Sequence, residues 1–184
     1  MILDGFLTFT GTSNGATGGI TSGAQTDAPT TGTQVASNII DLGVEGLPAY
    51  AAGAGGRDIG IGEDASLELS ALITTTFVGG TSLQLQIQGA PDNGSGAPGS
   101  YTTMWTSSAV AEASLVAGSQ WGNINFPRVI PGQAPPRFIR LNFITVGTHT
   151  GGAIEVNVVL DRDDQIMGAS GVYSGYPAGI NVAN

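Results

Sequence analysis

The chain contains no cysteine and no lysine. Without cysteine there are no disulfides and no thiolate metal ligands to hold a fold, so burial and association must do that work. Without lysine, only five arginines and one histidine oppose 14 acidic residues, for a formal charge of −9. So acidic a surface is repelled by phosphate backbones and anionic lipid, and neither nucleic acid nor membrane is an expected partner. Long apolar runs are missing too. No window approaches the roughly 18 residues of a spanning helix. The opening MILDGF has no basic stretch and its apolar run stops at once, so no export leader is expected. Charge is sparse, at 10% of residues, and helix-favouring segments are scarce.

What is present is glycine, 30 of 184 residues, together with threonine, serine and alanine, the mixture of short strands joined by many turns. A chain of this length forms one domain of ordinary size, able to bury roughly 70% of its extended surface. Alternation predicts strands at Ile2–Thr10, Val35–Leu42, Ala65–Val78, Leu83–Gln88, Tyr101–Thr106, near Val110–Ser114 and at Gln120–Phe126. The clearest pattern is Arg137–Leu160. Two alternating runs there flank Gly147, Gly151 and Gly152 and read as a β-hairpin, with Ile139, Leu141, Phe143, Ile154, Val156, Val158 and Leu160 on the core face. Arg140 and Glu155, if near each other across its wet face, would form an opposite-charge pair, and His149 at its tip is expected as a solvated turn residue. Ala90–Ser100, with Asn-Gly and two prolines, is a loop. With eight to ten strands and no helix, the expected fold is all-β, an antiparallel two-sheet sandwich of jelly-roll type with long flexible loops and terminal arms. The expected organisation is a single domain over residues 1–164, carrying an extended loop or arm at 11–34, followed by a tail at 165–184. In Gly11–Gln34, Ile20 is the only large apolar residue, too little burial to offset backbone ordering, so the arm is expected to gain order on a partner.

No catalytic constellation emerges. Gly11-Thr-Ser-Asn-Gly15 matches the letters of a nucleophile elbow, but an elbow needs a strand before it and a helix after it, and this one runs into loop sequence. A lone histidine without cysteine makes zinc a poor fit. Glu63, Asp64, Asp161, Asp163 and Asp164 could ligate calcium only if loops gathered them, and they read more simply as solubilising charges. The glycines around Gly53–Gly62 lack a following helix to cradle phosphate. No cofactor, metal or enzymatic activity is expected. Trp105 and Trp121 read as core residues, whereas Tyr173 and Tyr176, in a tail without a core, read as anchors against another chain. Arg57, Arg137 and Arg140 are scarce cations suited to carboxylates, within the chain or across an interface. The candidate partner-interface residues are therefore Ile20, Arg57, Arg137, Arg140, Tyr173 and Tyr176. A carbohydrate-binding β-sandwich of a fibre or adhesion protein, with its aromatics as a stacking platform, is the alternative reading.

The blocks Met-Ile-Leu-Asp-Gly-Phe-Leu-Thr-Phe at the start, Ser37–Gly43, Arg57–Glu63, Leu83–Gln88 and Arg137–Phe143 resemble, in their order, the Bordetella-phage-type capsid cement, or decoration, proteins of tailed phages. The resemblance covers roughly Met1–Asp161; the Gly11–Gln34 segment and the tail after Asp164 look longer than that family's compact form. It implies a non-catalytic jelly roll on the outer surface of an icosahedral head. There it would associate as a homodimer or homotrimer about symmetry axes and bridge neighbouring HK97-like major capsid proteins.

Overall fold

A computed structural model describes residues 7–11, 26–43, 67–121, 124–125 and 136–159. They are all-β and antiparallel. The strands are β1 (Thr31–Asp41), β2 (Glu68–Ala90), β3 (Thr102–Thr106), β4 (Val110–Ala111), β5 (Ile124–Asn125) and β6 (Phe138–Val159). One turn of 3₁₀ helix, Glu112–Ser114, interrupts the region expected as strand near Val110–Ser114. The sheet order is β1-β6-β2-β3, with β4 and β5 also pairing with β2.

The expected hairpin at Arg137–Leu160 is not what forms. Its described residues make one 22-residue strand, β6, whose two arms pair with β2 instead of each other. Arm 138–147 runs against 80–90, and arm 151–159 against 68–78. The two strands predicted at Ala65–Val78 and Leu83–Gln88 are likewise one 23-residue strand. Register shifts crowd between Ile73 and Ser82, opposite the glycines of β6. The glycines thus serve a shared bend in two long strands, where each extra residue adds local twist and curvature. Gly147, at φ 78°, and Gly152, at φ 130°, absorb the bend without reversing the chain.

Both sides of the bend feed one core. Leu69, Ala71 and Ile73 from one half of β2 join Leu83, Leu85 and Ile87 from the other, with Ile139, Leu141, Phe143, Ile154, Val156 and Val158 of β6 in the same cluster. The sandwich is therefore a sheet folded over its own long strands. Each fully buried Leu, Ile or Phe contributes about 1.5–3 kcal/mol relative to exposure.

The other edge of β2 is covered by a single run of chain. From β3 it continues through β4 and the 3₁₀ turn to Ser119, Trp121 and β5, with hydrogen bonds Phe77 N to Leu115 O (3.0 Å), Ile73 N to Ser119 O (2.9 Å) and Trp121 N to Ala71 O (2.8 Å). Glu112 crosses at the bend. The N-terminal segment is attached as well, through Phe9 N to Val156 O (2.9 Å) and an isolated bridge from Thr8 to Asn157; residues 2–6 of the strand expected at Ile2–Thr10 lie outside the described residues. Part of the expected 11–34 arm is built into the sheet: Thr31–Gln34 open β1, and Asp27 bridges Ile154.

Candidate functional site

The half-sheet formed by β1, the first arm of β6, the second arm of β2, and β3 turns one face to the core and the other to solvent. Alternation puts Gln84, Gln86 and Gln88 of β2 on the outer face, beside Arg140 and Asn142 of β6 and Thr103 and Thr106 of β3. These residues form a connected layer. Arg140 Nε donates to Gln88 Oε1 (2.9 Å), Gln88 Nε2 to Gln86 Oε1 (3.0 Å), and Asn142 Nδ2 to the same Gln86 oxygen (3.2 Å). The Arg140 guanidinium lies 3.8 Å from the centroid of the Tyr101 ring, a cation–π geometry. Burial pushes the Tyr101 phenol up, against the opposing pull of Arg140. Along the β1 side the same face presents Val35, Ile39 and Val146, each about half exposed.

Arg140 does not lie near Glu155, so the ion pair conditional on their proximity does not form. Arg140 lies across from Gln88 on β2 and Ile39 on β1, while Glu155 lies opposite Leu72 on the far side of the bend. The single bent strand places them on opposite sides of the bend.

Arg137 has an internal role. Its Nε and Nη2 donate to Asp41 Oδ1 (2.8 Å) and Oδ2 (3.0 Å), and its Nη1 donates to Asp92 Oδ2. The fork ties the end of β1 to the loop after β2. Asp92 Oδ1 also accepts from Gly96 N (3.0 Å) and Gly94 N (2.7 Å), shaping that loop as its Asn-Gly sequence foretold. These backbone donors, from Gly96 and then Gly94, lower the Asp92 carboxyl below its ordinary range, with a smaller push from Arg137. Asp41, followed by Asp92, holds the Arg137 guanidinium more firmly protonated than usual.

The feature missed in the sequence is at the bend. His149, expected in solvent, is 2% exposed. Its ring packs edge-on to Phe77 (centroids 5.1 Å apart, 79° between planes) and covers Gly80, where an added Cβ would collide with the imidazole. Its Nε2 is 3.4 Å from the Ser82 carbonyl and its Nδ1 is 3.2 Å from Glu112 Oε2. The Nδ1 contact is an ion-pair approach rather than an aligned hydrogen bond, and Nδ1 has no hydrogen-bond partner at its present angle. The same Glu112 oxygen accepts from Gly80 N. One signal pointed here: the core parity of Ile139, Leu141 and Phe143, carried on two by two, reaches 149.

Trp121 is buried and Trp105 packs partly buried against the core, as expected. With Val110 and Leu115 they line an open hollow of about 360 Å³. The nearby Ser107 and Ser119 hydroxyls are engaged, Ser107 donating to Ser108 O (2.8 Å) and Ser119 to Val116 O (2.6 Å). Ile20, Arg57, Tyr173 and Tyr176 lie outside the described residues, as do Ser13 and the carboxylates at 63, 64, 161, 163 and 164. Among the described residues, no group of three or more His, Asp and Glu side chains is placed to hold a metal ion.

Compared with known families, the chain matches the model of the Bbp16 family over residues 16–158. That span begins within the Gly11–Gln34 segment, takes in β1 and nearly all of β6, and stops before the tail. No curated protein matches the chain.

Proposed function

From its membership of the Bbp16 family, which carries the name of a Bordetella phage protein, we propose that this phage-related chain is a structural virion protein, a capsid cement. It binds the outer surface of an icosahedral head and bridges neighbouring HK97-like major capsid proteins, itself associating as a homodimer or homotrimer. The family match over residues 16–158 carries this reading. Physical chemistry supports it. A chain of net charge −9 suits the outside of a shell rather than the side facing packaged DNA. The outer layer around Arg140 is rigidly tied, largely neutral and bordered by exposed Val35, Ile39 and Val146, a composition suited to protein contact. A protein that binds only the assembled shell stabilises it by mass action, and many copies multiply a small gain at each site.

The test is sedimentation of purified heads with added protein. Saturable binding at a fixed ratio to the major capsid protein, together with a higher temperature of head disruption, is the expected result. If the protein stays in the supernatant at every concentration, the reading is wrong.

A further inference from the structure

The described residues include two arginines, Arg137 and Arg140, and the fold uses them differently. Arg137 is consumed inside the fold, its fork shared between Asp41 and Asp92. Arg140 pairs with no carboxylate among the described residues. Its Nε donates to Gln88 Oε1 (2.9 Å) and its flat face rests 3.8 Å from the centroid of the Tyr101 ring, so the plane of the guanidinium is fixed from two sides. Nothing among the described residues accepts from its two Nη groups, and neither is sealed from solvent. The edge left over is the one that takes a carboxylate end-on, through two parallel N–H···O bonds.

The surface around that edge is unfinished. Tyr101 Oη and Asn142 Oδ1, in the same layer, are buried without a hydrogen-bond partner. In register, Ile39 of β1 stands beside Arg140 and Val35 beside Asn142, both about half exposed. A cation flanked by aliphatic side chains has the make-up of an interface centre, where excluding water strengthens an ion pair. A second copy of the chain is a poor occupant. An isologous contact centred here would set Arg140 against Arg140, and the −9 charge of each copy adds repulsion. Building on the cement reading, we propose that Arg140 is the anchor of the head contact: its open Nη edge takes an aspartate or glutamate of the major capsid protein, whose neighbouring apolar side chains cover Val35 and Ile39.

The absence of lysine makes this contact chemically addressable. Arg140→Lys keeps the charge and gives the chain its only ε-amine. Heads carrying this variant, treated with a water-soluble carbodiimide and digested, should yield an amide joining residue 140 to a capsid Asp or Glu, formed with loss of water and located by mass spectrometry. Arg140→Gln should sediment with heads about tenfold more weakly, or worse, while still unfolding cooperatively. In the wild type, an α-dicarbonyl reagent should modify Arg140 in the free chain and spare it on heads. Equal modification in both states, undiminished binding by Arg140→Gln, no amide on particles that carry Arg140→Lys, or an amide to another copy of this chain would each overturn the anchor. The wild-type measurement stands whether or not either variant folds. A wild-type chain that never sediments with heads rejects the cement reading and the anchor with it, whereas head binding indifferent to residue 140 rejects the anchor alone.

Discussion

Two carboxylates titrate in opposite directions and give acid stability two signs. Asp92 is held low by the Gly96 and Gly94 amides and Arg137, so its stabilisation is present above the ordinary aspartate range and is lost as pH falls through its folded-state value. Asp27 is raised, chiefly by burial and against its hydrogen bonds from Ser37. It costs stability at neutral pH and recovers it as acid protonates it. Urea unfolding between about pH 6 and 3, spanning the reference aspartate value, should show a shallower acid loss in Asp92→Asn and a steeper one in Asp27→Asn; equal slopes in all three proteins would refute this account. Gly80 gives a second residue-level prediction. Because a Cβ there meets the imidazole of His149, Gly80→Ala should cost about 1–3 kcal/mol in the same experiment. Gly94, which has open space around its α-carbon, is the contrasting position for close packing.

Among the elements, the decisive fact is that β2 and β6 are each continuous through the bend. Alternation assigns residues to faces but not strands to partners, because a hairpin and a bent long strand share the same local period. The cysteine-free background makes partnership directly measurable. Gln84 and Ile144 are cross-strand partners on the outer face, so a Gln84→Cys/Ile144→Cys double variant should oxidise readily to an intrachain disulfide. Ile144→Cys/Glu155→Cys, opposite each other in a hairpin closed at Val146 and Ala153, should remain reduced. Mass spectrometry after mild oxidation distinguishes them, and the reverse result would restore the hairpin. Arg137 belongs to this scale too, since it ties β1 to the loop after β2. Arg137→Gln should lower stability by about 1–2 kcal/mol, less than a fully buried pair because both carboxylates are about a third exposed.

For the whole molecule, the proposed cement role rests on segments beyond the sheet as well as on its outer face. Asp27 and Thr31–Gln34 belong to the fold, so a deletion that spares it must end before Asp27. Deleting residues 12–25 or 165–184 should leave cooperative unfolding in place while reducing occupancy on heads, measured by quantitative gel of sedimented particles. Full occupancy by both would remove the arms from the mechanism. Arg140→Glu should weaken head binding without such deletions, because it reverses the charge at the centre of the neutral face.

The amino-acid order alone determined the class of fold, the core faces of β2 and β6, the turn chemistry after β2 and the acidity of the surface. All of these are set by neighbours one or two positions apart or by composition. Only the tertiary structure decided that Arg137 binds Asp41 and Asp92, that Arg140 and Glu155 lie on opposite sides of a bend, and that His149 is buried against Glu112. Those outcomes depend on which distant strands pair and where their extra residues are absorbed. The glycines of 147–152 permit either a reversal or a bend, and the long ladder with β2 selects the bend.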